Sequence, residues 1–257
     1  MDLGASFAAP LRARPICVRF DLLWPAGRLA GVEVPGLRKS PLDIQPSSTV
    51  LIDLHQSPDD LLAQMHKKNR YNVGLSRRKG VLVAEVEEGL ERWYRMYRET
   101  AERDRISIHP FRYYERLFQI ARDSPHLTLH LYLAEHDGDL LAGIIVAHLG
   151  DHATYLYGAS SNCKRELMPN YALQWHALQA AREAGMAVYD LFGVPPADDP
   201  AHPMHGLYRF KTGFGGSLVH REGSWDVVIQ PVSYRLYRVA ERARAYYFHH
   251  LRKAGAR

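Results

Sequence analysis

Apolar and polar residues alternate most regularly between residues 127 and 133, where four leucines occupy every second position. The sequence His-Asp-Gly-Asp at 136–139 leads into a second apolar segment at 140–149, and Gly150-Asp151 leads into a third at 153–157. Alternation with a period of two is typical of strands, and Asp-Gly is a preferred pair for a type I′ hairpin turn. The pattern therefore predicts an antiparallel meander.

A helical period dominates much of the remaining chain. Trp93, Met96, Tyr97 and Thr100 lie at helical spacing, and Ser57-Pro58 supplies an N-cap with a proline suited to the first turn. Helices are predicted at 57–80, 89–103, 110–122, 169–185, 207–212 and 231–253, and further strands at 16–22, 49–54, 81–86, 187–192 and 225–229.

This order of elements is that of the acyltransferase fold called GNAT. The fold class predicted is α/β, a GNAT-like acyltransferase fold with a mixed, mostly antiparallel sheet. The segment 49–86 resembles the back end of a similar unit whose front is missing. We therefore expect a truncated first GNAT-like unit with a basic helix at 1–87, a complete second unit carrying the active site at 88–230, and a C-terminal basic helix at 231–257.

Charge is concentrated in two stretches, although the formal net charge is only +5 and the pI about 9.2. Residues 66–79 hold six lysines and arginines. The tail adds further cations at Arg235, Arg238, Arg242, Arg244, Arg252, Lys253 and Arg257. Such stretches suit a polyanion, either RNA or an anionic lipid surface, but they equally suit a pair of solvated helix faces.

Other features narrow the class of protein. No stretch of about 18 uncharged apolar residues is present, which excludes a spanning helix. The segment 1–14 lacks the order of a signal peptide, and Cys17 and Cys163 are too few for a disulfide framework or a zinc site. We expect a cytoplasmic protein that needs no metal.

The segment after the meander argues against coenzyme A as the donor. An acetyl-CoA enzyme of this fold cradles the pyrophosphate with a glycine-rich turn, because a Cβ would block the approach of the backbone to phosphate. Residues 160–175 contain no glycine and carry Lys164 and Arg165 instead.

Several motifs together resemble those of the Fem family, the tRNA-dependent transferases that build peptidoglycan side branches. They are YGASSNCKRELMPNYALQWHALQAAREAG at 157–185, HKKNRYNVGLSRRKGV at 66–81, YDLFGVPP at 189–196, GLYRFKTGFGG at 206–216 and ETAERDRISIHPFRYY at 99–114. In order, they cover most of residues 50–230. Nothing matches the family's initial segment, where a phosphate-binding lysine would lie.

The resemblance implies which residues act. A Phe-Lys pair at the family's reaction centre matches Phe210-Lys211, and a cation there would stabilise the negative charge that develops on an attacked ester carbonyl. Asp104 matches an acidic position and would accept a proton from the attacking ammonium, with a salt bridge to Arg103 or Arg105 as the alternative.

The substrate-binding residues expected from the same resemblance and from charge fall into two groups. Arg165 matches an arginine that contacts the acceptor diphosphate, a role suited to a guanidinium fork, and Tyr208 would help to position the substrate. The basic helix supplies Lys67, Lys68, Arg70 and Tyr71, of which the tyrosine either stacks on a base or packs in the core.

The function that the resemblance implies is aminoacyl transfer from aminoacyl-tRNA to an amine of a muropeptide precursor, nucleotide- or lipid-linked, without a cofactor. The inner membrane surface remains open as a further partner, and so does a peripheral location there. Two alternatives stand beside this function: an N-acyltransferase that uses acyl-CoA or an acyl carrier protein, and a non-catalytic RNA- or membrane-binding protein.

Overall fold

The computed structural model describes residues 14–247. Within that range the backbone forms two compact units. The larger unit comprises residues 49–218, and the terminal unit comprises residues 14–48 and 219–247. In the described part of the chain, no helix is both long and apolar enough to cross a bilayer.

These units differ from the predicted segments, because residues 49–87 share a sheet and a core with residues 88–218. The assignment of 1–87 to a truncated GNAT-like unit stays a prediction. Part of the predicted C-terminal basic helix, residues 248–257 with Arg252, Lys253 and Arg257, lies outside the described residues, as do residues 1–13.

The sheet of the larger unit is mixed and mostly antiparallel, as predicted. Its strands are β3 (Ser48–Asp53), β4 (Leu82–Glu85), β5 (Leu127–His136), β6 (Asp139–Leu149), β7 (His152–Ser160) and β8 (Val188–Asp190). The spatial order is β3-β8-β7-β6-β5-β4, and only β7 and β8 run parallel within this set. Asp137 and Gly138 both have positive φ between β5 and β6, as a type I′ turn requires.

Six helices surround this sheet: α1 (Pro58–Gln64), α2 (Lys67–Arg78), α3 (Leu90–Asp104), α4 (Phe111–Asp123), α5 (Pro169–Glu183) and α6 (His205–Thr212). The single helix predicted at 57–80 is wrong. Met65 and His66 are extended, and the His66 N–H donates to the Gly213 carbonyl at 2.9 Å. Because the His66 N–H is bonded to Gly213, it cannot donate to a carbonyl of α1. The basic segment therefore forms a separate helix.

Two hydrophobic clusters fill the larger unit. One contains Leu173 and Leu178 of α5, and the other contains Trp93 of α3. The Trp93 indole N–H donates to the Gly143 carbonyl at 3.1 Å, and a Cβ on Gly143 would come within 2.7 Å of the Trp93 ring. The strand β6 is buried over Leu141–His148, which is typical of a strand covered on both faces.

The terminal unit is built on β1 (Cys17–Pro25), β2 (Leu37–Lys39), β9 (Ser217–Val228) and the helix α7 (Pro231–Tyr246). Both β1 and β2 pair with β9 in antiparallel register, with Phe20 opposite Trp225 and Arg38 opposite Asp226. The strand β9 begins earlier than the predicted 225–229. The prediction missed its first half because the residues there show no alternation of apolar and polar side chains.

Candidate functional site

Two aromatic side chains form a wall in the larger unit. Tyr171 lies in the first turn of α5, which Pro169 begins, and Phe210 lies on α6. Their ring centroids are 5.1 Å apart, and Phe214 lies 5.2 Å from Phe210. We call Tyr171 and Phe210 the aromatic wall, because both residues line each of two cavities.

The first of these cavities, of about 440 Å³, also contains Arg165 and Ser160, and we call it the arginine cavity. Arg165 is exposed, and its guanidinium group makes no hydrogen bond or ion pair to any residue from 14 to 247. Glu166 lines the cavity as well. A guanidinium group with unused donors suits an anion such as a phosphate.

The turn that carries Arg165 is held in an unusual conformation. Lys164 before it and Met168 after it both have positive φ, of 47° and 56°, which side chains with a Cβ adopt rarely. The Lys164 ammonium fixes the turn through an ion pair with Asp139 at 2.9 Å and a hydrogen bond to the His136 carbonyl at 3.2 Å. Strained backbone conformations of this kind are common at ligand-binding sites.

The second cavity, of about 370 Å³, lies where α2 begins, and we call it the basic cavity. His66, Lys68 and Arg209 contribute to its lining together with the aromatic wall. The buried Asn69 donates to the Phe210 carbonyl at 3.0 Å and so ties α2 to α6. The positive end of the helix dipole of α2 adds to the cationic character of this end.

The basic helix does not present all its cations to one cavity. Lys67, Lys68 and Arg70 are exposed as predicted, but Arg70 donates to the carbonyls of α1 and lines a separate cavity of about 350 Å³ that contains Arg77. Tyr71 is 60% exposed beneath Arg78, so the core packing considered for it is wrong.

Lys211 is buried, with 5% of its surface exposed, and lines neither cavity that shares the aromatic wall. Its ammonium donates to the carbonyls of Phe192 at 2.9 Å and Gly193 at 3.0 Å, and lies 5.2 Å from the Tyr155 ring. Burial lowers the pKa of Lys211 to about 7, and the nearby charge of Asp190 opposes that shift.

The loop that Lys211 contacts is itself strained. Phe192 has a φ of 58°, and its N–H donates to the Asp190 carboxylate at 2.7 Å. Asp190 also accepts a hydrogen bond from Thr49 in β3. Lys211 therefore connects α6 to the segment after β8, and it is not the solvent-facing cation that an oxyanion role suggests. That role stays a prediction.

The two remaining predicted site residues, Asp104 and Tyr208, both lie outside the aromatic wall. Asp104 forms the alternative salt bridge, with its carboxylate 2.9 Å from Arg103. Arg103 also donates to the Ser160 carbonyl at 2.9 Å, which connects Asp104 to the rim of the arginine cavity. Tyr208 is half-buried against the core and lines neither cavity that shares the wall.

Sequence reasoning missed Tyr171 and Asn69. One signal for Asn69 was available: Asn69, Asn72, Val73 and Ser76 follow a helical period on the basic helix, and the structure buries all of them. Polar residues on an inward helix face indicate hydrogen bonds to a neighbouring element. Tyr171 carried no comparable signal, because an aromatic residue in a first helical turn is equally suited to a core.

Comparison with known proteins gives one family and several relatives. The sequence pattern of the FemAB family matches residues 28–135 and 130–242. The Lipid II:glycine glycyltransferase of Staphylococcus aureus is 25% identical over 258 residues, which covers 75% of this chain and 61% of that protein. The enzyme of the same name from Staphylococcus epidermidis is 24% identical over 253 residues, with the same coverage. The chain thus spans about 61% of the length of these curated relatives.

Solved structures support the fold. The crystal structure of FemX superposes with a TM-score of 0.79 at 20% identity, over 88% of this chain and 75% of that one. The structure of L-PGS from Bacillus licheniformis gives a TM-score of 0.55 at 13% identity, over 86% and 72% of the two chains. At these identities the likeness concerns the fold alone, and it agrees with the α/β class and the mixed sheet.

Proposed function

This chain belongs to the FemAB family, and we propose that it is an aminoacyltransferase that moves an amino acid from aminoacyl-tRNA to an amine of a peptidoglycan precursor. The observation that carries the proposal is the pair of cavities that meet at Tyr171 and Phe210, one with an unpaired Arg165 and one at the basic end of α2. A transfer between two large anionic substrates needs two adjacent sites of this kind.

The basic cavity is proposed as the donor site. Lys67, Lys68 and Arg70 are exposed near the start of α2, and of the three only Lys68 lines this cavity. Lys67 and Arg70 can contact tRNA phosphates outside it while the aminoacyl ester enters beside Phe210. Phosphate contacts release counterions, and the affinity for tRNA should therefore fall steeply with salt. Tyr71 stands among these cations and can stack on an unpaired base.

The arginine cavity is proposed as the acceptor site. Arg165 can grip a diphosphate with two parallel hydrogen bonds, which an ammonium group cannot do. The relatives named Lipid II:glycine glycyltransferase favour a lipid-linked precursor as the acceptor and glycine as one amino acid to test. In this proposal the reaction takes place at the cytoplasmic face of the membrane.

The chemistry requires few groups. The acceptor amine attacks the ester carbonyl, a C–N bond forms, the ester C–O bond breaks, and the amine proton passes to the departing ribose oxygen. Positioning and stabilisation of the oxyanion supply most of the rate enhancement. Lys211 is proposed as the oxyanion donor, with Phe210 shaping the site and Asp104 as the group that accepts the amine proton and passes it to the ribose oxygen.

Transfer assays test this proposal against its alternatives. The purified chain is incubated with labelled aminoacyl-tRNAs and a lipid- or nucleotide-linked precursor, and products are identified by mass. We expect the precursor to be aminoacylated, and acetyl-CoA to donate nothing, since residues 160–175 lack a glycine cradle. Acetyl transfer from acetyl-CoA without aminoacyl transfer would support the acyl-CoA alternative instead.

Variants test the proposed donor and acceptor sites separately. Combined alanine substitution of Lys67, Lys68 and Arg70 should weaken tRNA binding and flatten its salt dependence, while Arg165→Lys should leave both unchanged. Binding of charged and uncharged tRNA without any transfer, even by the unaltered chain, would favour a non-catalytic RNA-binding protein.

A further inference from the structure

The helix α7 carries its apolar side chains on the side that faces solvent. Val232, Leu236 and Val239 are 74%, 70% and 69% exposed, and Tyr246 and Tyr247 are exposed as well. At the rotation of an α-helix, these five residues fall within an arc of about 100°. We call them the apolar stripe.

The opposite face of α7 is polar and packs on its own unit. The Tyr234 hydroxyl donates to the buried Asp226 carboxylate at 2.8 Å. Arg19 of β1 bridges Asp226 at 2.7 Å and Glu241 of α7 at 2.6 Å. A surface helix normally buries its apolar face and exposes its charges. This helix exposes its apolar stripe as well as its arginines, so folding of the terminal unit makes no use of the stripe.

Arginines flank the stripe on both sides. By helical rotation, Arg235 and Arg242 lie along one edge of it and Arg244 along the other. Arg235 and Arg242 form no ion pair with any described residue, and the single acid of α7, Glu241, is already bound to Arg19. Long arginine side chains can cover apolar surface while their charges remain at a polar interface.

We propose that α7 docks on an anionic lipid bilayer, lying in the plane of the surface with its apolar stripe inserted. An apolar face between two cationic edges is the arrangement of interfacial helices, whose apolar side enters the headgroup region while the cations meet anionic lipids. This inference extends the proposed function, since it brings the chain to the surface where a lipid-linked acceptor lies, but its test needs no substrate.

Two other occupants fit the helix less well. RNA would satisfy the arginines but would leave the five apolar side chains in water. A second copy of the stripe would bury them, yet it would bring the arginine edges of two helices together, and like charges at such distances repel. Only a bilayer satisfies the apolar residues and both cationic edges at once.

The test measures co-flotation of the full chain with vesicles of phosphatidylcholine mixed with phosphatidylglycerol, in parallel with vesicles of phosphatidylcholine alone. We expect binding to the anionic vesicles only. A variant with Val232→Gln, Leu236→Gln and Val239→Gln keeps good helix formers and should bind on the order of 100-fold more weakly, since each inserted aliphatic side chain contributes roughly fivefold.

A matched control changes three exposed apolar residues of the larger unit, Leu82→Gln, Ile120→Gln and Leu149→Gln, and should bind vesicles like the unaltered chain. Loss of both charges in the double variant Arg235→Gln, Arg242→Gln should weaken binding to anionic vesicles about 25-fold, at roughly fivefold for each arginine.

Equal vesicle binding by the stripe variant and the unaltered chain would overturn the inference. So would a stripe variant that changes only the oligomeric state in sedimentation, or only the affinity for tRNA, because either result would identify a different occupant. The proposed function is judged separately by transfer to a water-soluble, nucleotide-linked precursor. The stripe variant should catalyse that transfer at the unaltered rate.

Discussion

Replacement of Lys211 by methionine should change how the stability of the protein depends on pH. The ammonium of Lys211 is buried, and its pKa falls from 10.5 to about 7. Between these two values the unfolded chain holds a proton that the folded protein has lost. Because stability rises with pH wherever the unfolded state binds more protons, Lys211 makes folding more favourable as pH increases from 7 towards 10.

The magnitude follows from the same shift. From pH 7 to pH 9 the free energy of unfolding should rise by about 2 kcal/mol through this lysine alone, since each pH unit contributes at most about 1.4 kcal/mol. Below about pH 6 the contribution is flat, because Lys211 is protonated in both states. All other titrating groups are common to both proteins and cancel in the difference between the unaltered chain and Lys211→Met.

The assay is urea unfolding of both proteins at several values of pH, compared through the free energy of unfolding. At pH 9 and above, where the neutral lysine is most favourable, Lys211→Met should also be less stable, because the carbonyls of Phe192 and Gly193 lose their donor and each such loss costs about 1–3 kcal/mol. If the difference in the free energy of unfolding between the two proteins stays constant from pH 7 to pH 9, the lowered pKa of Lys211 is refuted.

Three further predictions concern the cavities. The double alanine variant of Lys67 and Lys68 should lower the slope of log affinity for tRNA against log salt by about 1.4–1.8, at roughly 0.7–0.9 per phosphate contact, and an unchanged slope would contradict the donor site. Arg165→Lys should raise KM for the precursor without changing tRNA affinity, and steady-state kinetics with equal losses on both substrates would move the arginine to the donor side. Gly213→Ala should lower the free energy of unfolding in urea by about 1–3 kcal/mol, because the new Cβ would overlap the Asn69 amide. An unchanged free energy of unfolding would contradict this close contact between α2 and α6.

Local sequence patterns predicted those features of the fold that depend on neighbouring residues. The Asp137-Gly138 turn and the capped start of α1 formed as expected, because short-range sequence determines a turn and a cap. The break between α1 and α2 could not be predicted, since it depends on a hydrogen bond from His66 to Gly213, a residue remote in the sequence.

The sequence indicated some of the residues of the candidate site but not their arrangement. The Fem resemblance selected Phe210 and Arg165, which line the arginine cavity. It did not indicate that Lys211, next to Phe210, turns inward to two backbone carbonyls. Nor did charge alone separate Lys68, beside the aromatic wall, from Arg70, which lines a different cavity. Contacts between distant segments decide both outcomes.

The most direct test of the account is tandem mass spectrometry of the precursor after incubation with a single charged tRNA. We predict an aminoacyl group in amide linkage on the side-chain amine of the stem peptide, formed only when the tRNA is charged. Arg165→Lys should form the same product with a raised KM for the precursor. An ester product, an unmodified precursor, or equal labelling from free amino acid would contradict aminoacyl transfer from tRNA.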